Sequence, residues 1–341
     1  MKIAGLVNDC NSLRDENHTL IEQVRTTSQC DVLIMIMAGH FMQSGEPSGI
    51  DKWQRTKLAL EDGVDLVIEL PYAYATSDRN EYAKAAIDLL IKADCNIMVF
   101  ESEINNLEEL QALADCSFNI NNLIERPVSS TPFFNTYGLG LKAYYPHDIL
   151  ALAYLRALKS SSISACLIQA LPININESIP SSIKQVAWND YYPYLRLKLQ
   201  TLNSSDLDLL YLISEGLIKH LVSQAKLYAS YDEFIHHAIK KRYTKAKIQR
   251  ALTHILTHTS HQDVLKLSKL DYLRVLGFNQ IGQTYLKHLK SKKIKVVTRF
   301  NQIPLNYRQM ELKASVAYAY ALDEEKQNDL IQKEIEGPII L

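Results

Sequence analysis

Along the first 170 residues, short unbroken apolar runs alternate with longer stretches in which apolar residues recur at helical spacing. The runs are KIAGLV (2–7), DVLIMIM (31–37), DLVIEL (65–70), CNIMVF (95–100) and SACLIQA (164–170). Runs without a polar alternation suit strands covered on both faces, as in a parallel sheet. Helical periods fill the intervals at 19–27, 52–62, 80–93, 107–114 and 147–159. This alternation predicts an α/β fold with a doubly wound parallel sheet. Ligands of such sheets bind beyond the carboxyl ends of the strands. The segments to watch are therefore 8–18, 38–47, 71–78 and 101–103.

After about residue 190 the strand signal fades. Helical patterns cover SSDLDLLYLISEGLIKHLVSQA (204–225), YDEFIHHAIKKR (231–242), TKAKIQRALTHILTH (244–258) and SHQDVLKLSKLDYLRVLG (260–277). IKVVTRF (294–300) reads as an isolated strand and ELKASVAYAYAL (311–322) as a last helix. Two turn-rich stretches, 129–148 and 172–185, read as irregular. The expected division is a nucleotide-binding α/β domain over 1–188 and a mainly helical, basic domain over 189–341.

Charge sharpens that division. The chain has a formal net charge of −1, yet Lys219 to Arg299 carries 17 Lys and Arg against 4 Asp and Glu, a local +13, which leaves −14 for the rest. Such an asymmetry points to a polyanion-binding module joined to something else. No apolar run reaches the roughly 18 residues that span a bilayer, so neither membrane nor signal segment is expected. The five cysteines are scattered without a C-x-x-C pair and read as reduced thiols of a cytoplasmic protein.

Three motifs carry candidate chemistry. In AGHFMQSGEPSGIDKWQRTKLALEDG (38–63) a Gly-containing loop leads into a helix with Lys52, Trp53, Arg55 and Lys57, cations that could face phosphate or simply line a solvated face. His254, His258 and His261 share helical spacing but bring no neighbouring carboxylate or thiolate, so a basic face is preferred and no metal site is expected. KKRYTKAKIQR (240–250) sets Lys240, Lys241, Arg242, Lys245, Lys247 and Arg250 around Tyr243, a stripe suited to tracking a phosphate backbone. Walker, G-x-G-x-x-G and G-x-S-x-G motifs are absent from the sequence.

GHFMQSGEPSGIDKWQRTKLALEDGVDLVIELPYAYAT (39–76), PHDILALAYL (146–155), KRYTKAKIQRALTHILT (241–257), YLRVLGFNQIGQTYL (272–286) and GPII (337–340) together resemble the bacterial tRNA(Met) cytidine acetate ligase family, nearly end to end. The resemblance implies a nucleotidyltransferase-type (Rossmann-like) ATP-binding domain followed by a helical tRNA-binding region. It implies ATP as cofactor, with Mg²⁺ an open addition, and acetate and elongator tRNA(Met) as partners. The implied reaction makes acetyl-adenylate and pyrophosphate, then acetylates N4 of the wobble cytidine. Oligomeric state is left undetermined.

The family pattern after the first strand is roughly G-[IL]-[IV]-x-E-Y-N-P-F-H-N-G-H. Here Gly5 and Asn11 match, Asp9 stands for Glu and Cys10 for Tyr, Arg14 falls on the first histidine, Glu16 on the glycine and Asn17 on the second histidine. A one-residue shift puts His18 on the second histidine but breaks the match at Asn11. The implied catalytic positions are thus Arg14, Asn17 and His18, with Val7, Asn8, Asp9, Asn11, Arg14, Asn17, Glu101, His147, Ser181 and Lys184 as the nucleotide-binding set. Glu101 replaces the glycine of Phe-Gly-Ser-Glu, His147 replaces an asparagine, and Lys184 replaces the arginine of Ser-Ala-Thr-x-Ile-Arg.

Two imidazoles in that family would donate to phosphate oxygens as charge builds on phosphorus. Each transition-state donor is worth on the order of 10²–10³ in rate. The sequence therefore supports two readings: an active ATP-dependent ligase, or a catalytically impaired relative that keeps the fold and the RNA surface.

Overall fold

The computed structural model describes residues 1–10, 14–116, 146–159, 161–169, 185–214, 216–240 and 242–341. Among these, eight strands form one sheet: β1 (Ile3–Val7), β2 (Val32–Ala38), β3 (Leu66–Leu70), β4 (Ile97–Ser102), β5 (Ser164–Gln169), β6 (Leu273–Phe278), β7 (Val296–Val297) and β8 (Ile339–Ile340). Their order is β5-β4-β1-β2-β3-β6-β7, with β8 beside β6. The first five are parallel, and β6 runs antiparallel to β3. The chain steps from β1 outward through β2 and β3, then returns to place β4 on the other side of β1. The strand order therefore reverses between β1 and β4, and the crevice beyond their carboxyl ends is where such a sheet binds its ligand.

The helices over the first half are α1 (Arg14–Ser28), α2 (Lys52–Glu61), α3 (Tyr72–Ala75), α4 (Arg79–Lys92), α5 (Leu107–Asp115) and α6 (Pro146–Leu158). They cover both faces of the sheet. Alternation along β2 shows why: Leu33, Met35 and Met37 join one apolar cluster, while Val32, Ile34, Ile36 and Ala38 join the other. Every residue of β2 is buried, as the unbroken apolar run requires.

The second half holds α7 (Trp188–Thr201), α8 (Ser204–Asp208), α9 (Leu217–Leu227), α10 (Tyr231–Ala238), α11 (Lys245–Thr257), α12 (His261–Leu265), α13 (Gln280–Ser291), α14 (Leu305–Ala319) and α15 (Glu324–Ile335). Four expectations are corrected here. The pattern over 260–277 is not one helix: α12 ends at Leu265, and LRVLGF forms β6, buried along its length against β3. The run over 204–225 is broken between α8 and α9, where Leu212 and Gly216 take left-handed backbone. The strand near 296 is not isolated, since β7 pairs with β6, and α15 and β8 follow the helix expected to be last. For β6, β7 and β8 pairing within the sheet overrode the local period. Among the described residues, no helix is long and apolar enough to cross a membrane.

Candidate functional site

At the reversal point the chain leaving β1 is tied down by one backbone bond and two side-chain carbonyl or carboxylate oxygens. The Asn8 N–H donates to Ile36 O (3.2 Å), Asn8 Oδ1 accepts from the Cys10 N–H (2.6 Å), and Asp9 Oδ1 accepts from the Ala38 N–H (2.9 Å). Cys10 sits in left-handed backbone (φ 45), with its thiol buried on Met35. Burial pushes that thiol up to about 12, so it is no nucleophile at neutral pH. Burial also raises the Asp9 carboxyl, with Arg55 pulling the other way.

Arg55 is fully buried and donates to the carbonyls of Asp9 (2.6 Å), Ala38 (3.1 Å), Gly39 and Ile50 (3.2 Å). It clasps the carboxyl ends of β1 and β2 together. Lys52 is equally buried, paired with Glu69 (2.7 Å) and Glu334 (2.8 Å). Neither alternative read for these two helix-start cations, a phosphate or a solvated face, describes them: both are spent on the interior. Lys57, by contrast, is exposed and stands 3.8 Å from Glu61.

The end of β4 is anchored differently. The buried Asp148 carboxylate, in the first turn of α6, accepts from Ser102 Oγ (2.7 Å), the Glu103 N–H (3.0 Å) and the Ile104 N–H (3.1 Å). His147 places Nδ1 2.7 Å from Glu103 Oε1. The expected nucleotide residue His147 thus belongs to a built clasp between α6 and the β4 loop, and half-buried Glu101 lies just before it on β4. Val7 is half-buried at the end of β1.

Arg14 and Asn17 lie in the first turn of α1. The exposed His18 turns its Nδ1 to within 3.6 Å of Asp62, which follows α2. Asn11, Ser181, Lys184 and Lys241 lie outside the described residues.

The basic segment comes to the loop that leaves β2, next to β1. On α11, Thr253 Oγ1 donates to Gly45 O (2.6 Å), Arg250 Nη1 to Gln43 O (3.2 Å) and Gln249 Nε2 to Glu46 Oε1 (2.8 Å), while Lys245 pairs with Glu46 (3.1 Å). Gly45 (φ +85) lies so close to the Arg250 backbone that a Cβ would overlap it. The loop between β2 and α2 is thus the seat of α11. Lys245 and Arg250 turn toward that loop. Lys240, Arg242 and Lys247 gather instead around the Tyr243 ring, with Arg242 and Lys247 each 5.8 Å from its centroid and His220 stacked on it. Tyr243 itself is buried and covered by His220, so this rim meets a polyanion through its cations.

The three histidines expected on one basic face are dispersed. His254 is buried, with Nδ1 3.3 Å from Tyr72 Oη and Nε2 3.3 Å from Thr76 O, and burial pulls it down to about 3. His258 ends α11 in left-handed backbone, and His261 stacks on Tyr211.

One cluster escaped the sequence reading. Beneath the crevice Lys52 and Arg274 share two carboxylates, Glu69 and Glu334, all four side chains buried. Two cations and two anions leave the cluster neutral only if the adjacent Glu311 is protonated. Burial and the neighbouring Glu69 push Glu311 up to about 8, and its Oε1 accepts from the Tyr72 N–H (2.7 Å). The available signal was a lone Glu in DLVIEL and a lone Arg in LRVLGF, each inside an otherwise apolar run.

Comparison with known proteins supplies context for this geometry. The model of a family described as HIGH Nucleotidyl Transferase matches residues 1–170 and 159–334. The chain is 28% identical to the tRNA(Met) cytidine acetate ligase of Oceanobacillus iheyensis, over 100% of both chains. It is also 28% identical to the Bacillus subtilis protein of the same name, over 95% of this chain and 93% of that one. The crystal structure of Thermotoga maritima TmcAL bound with alpha-thio ATP superposes with a TM-score of 0.85 at 22% identity, covering 100% of each chain.

Proposed function

The chain belongs to the HIGH nucleotidyl transferase family, and on that premise we propose that it is an ATP-dependent ligase that acetylates a cytidine of tRNA(Met). The observation that carries this reading is the seating of α11 on the β2–α2 loop. It joins the basic helix that follows Tyr243 to the loop that leaves β2, the strand beside β1. In this reading an RNA held by the basic segment delivers its cytidine to the activated group made in the crevice. The relatives named tRNA(Met) cytidine acetate ligase and the ATP-analogue complex of the Thermotoga protein support the substrates.

In this reading an acetate oxygen attacks the α-phosphorus of ATP, the bond to the β-phosphate breaks, and pyrophosphate leaves. The N4 amine of cytidine then attacks the acetyl carbonyl of the adenylate, and AMP departs. This chain's residues bear on those steps as follows. Asn8 and Asp9 fix the end of β1, so its backbone is presented rigidly to the crevice. The Asp148–Ser102 and His147–Glu103 contacts hold the β4 loop where a nucleotide would cross the sheet. Lys240, Arg242 and Lys247 supply the field that attracts tRNA. The protein is proposed to work in the cytoplasm, and its division into a nucleotide domain (1–188) and an RNA domain (189–341) is proposed as functional, since β6–β8 return to the same sheet.

A second reading is favoured by one observation: the imidazole nearest the β1–α1 junction, His18, is directed at Asp62 on the side of α2. With Arg14, Glu16 and Asn17 where the family pattern has H-x-G-H, the chain would then bind nucleotide and RNA while turning over slowly. Acetate-dependent exchange of labelled pyrophosphate into ATP separates the two. Exchange above the no-acetate blank supports the ligase, whereas ATP binding without exchange supports the impaired relative.

A further inference from the structure

Arg79, the first residue of α4, projects Nη1 into the protein without a hydrogen-bond partner. No carboxylate pairs with it among the described residues. The groups it senses are the Arg250 guanidinium and the Tyr154 hydroxyl, and burial together with Arg250 pulls its pKa down to about 10. Tyr154 packs its ring on Phe100 of β4, centroids 5.8 Å apart, and senses Asp9 and Glu101 at the ends of β1 and β4. Gln43, whose carbonyl accepts from Arg250 (3.2 Å), has its own Nε2 buried and without a partner.

Arg250 lies near enough to repel the Arg79 guanidinium, and a buried charge without a counter-charge is expensive. A trapped water would satisfy the Nη1 hydrogen bond but not the charge. An anion with several acceptor oxygens satisfies both, and guanidiniums present forked donors that match phosphate. The two arginines come from opposite partners of the docking described above, Arg79 from the sheet side and Arg250 from α11. We propose that Arg79 and Arg250 together bind the polyphosphate group of the nucleotide, supplying cations in a crevice whose β1–α1 junction lacks the H-x-G-H histidines. This rests on the reading of the crevice as a nucleotide site. The residues place the anion at the seam between sheet and basic helix, so nucleotide binding would also brace α11 in its seat.

The test is calorimetric titration of the full-length protein with ATP, with inorganic pyrophosphate and with tRNA in turn. For Arg79→Gln the expected result is ATP and pyrophosphate affinity roughly tenfold or more weaker, as for loss of a charge-assisted pair. Affinity for tRNA should stay within about twofold. Arg79→Lys should recover only part of the loss, because an ammonium lacks the fork. The unliganded Arg79→Gln protein should melt no lower than wild type, since a repelled buried cation has gone, and this shows that the fold is intact.

If the wild type binds ATP and Arg79→Gln binds it equally well, the anion site is wrong and the nucleotide reading stands. If the wild type binds pyrophosphate through Arg79 but not ATP, the anion site stands and the nucleotide reading falls. If neither ligand binds, or if only tRNA affinity responds to Arg79→Gln, the proposal is overturned.

Discussion

Glu311 shows how much one proton decides in this interior. Its carboxyl, raised to about 8 by burial and by Glu69, is protonated in the folded state at neutral pH and ionised in the unfolded one. The folded state therefore holds the extra proton between about pH 4.5 and 8. The stability that Glu311 contributes is full below about 4.5 and is lost as the pH rises toward 8. Glu311→Gln keeps the shape without the titration, so urea denaturation from pH 5 to 8 should give a flatter stability profile than wild type. Glu334 behaves oppositely. Burial opposes its charge, but Lys52 and Arg274 together hold its carboxyl well below the usual range. Glu334→Ala leaves Lys52 and Arg274 with Glu69 as their one remaining shared carboxylate and should cost about 3–5 kcal/mol in the same assay. Glu69 and Arg274 could be noticed in the sequence only as lone charges in apolar runs. Which partner each would find depended on two chain segments meeting across 205 residues, and no local pattern encodes that.

At the scale of elements, the parallel strands were legible because burial on both faces writes an unbroken apolar run, and β1 to β5 fall on those runs. β6 was misread because LDYLRVLGF also fits a helical period, and only pairing with β3 decides between them. α15 was missed because its sequence is largely polar and few of its residues are buried, among them Leu330 and Glu334. The nucleotide positions became legible through the order of the elements: once β1 and β4 flank the reversal, the loops after them are the crevice. The seat of α11 was not legible, since nothing local says that Gly45 must accept a helix backbone. It is nevertheless testable. Gly45→Val adds a β-branched side chain at φ +85 and against Arg250, and should cost roughly 2 kcal/mol or more. Thr253→Val, which removes the Oγ1 contacts to Gly45 O and Gln249 O, should cost about 1 kcal/mol. Both are read from chemical denaturation, and the larger effect should also weaken tRNA binding.

Across the whole molecule, an acidic remainder of −14 carries a basic segment of +13, and α11 joins that segment to the loop that leaves β2. Binding of tRNA should therefore be strongly salt-dependent. Neutralising Lys240, Arg242 or Lys247 singly should lower the slope of log affinity against log salt by about 1 each, without altering ATP affinity. Arg250 should differ, affecting both ligands, because it stands on the seam. The central claim is that the two ends of this arrangement cooperate in one reaction. It is tested most directly by incubating the purified protein with ATP, acetate and unmodified elongator tRNA(Met), then measuring N4-acetylcytidine by mass spectrometry of the digested RNA. The account predicts N4-acetylcytidine that depends on both ATP and acetate. No product from this chain, with product restored in the Arg14→His, Glu16→Gly, Asn17→His variant, would contradict it and leave a binding protein on an enzyme's fold.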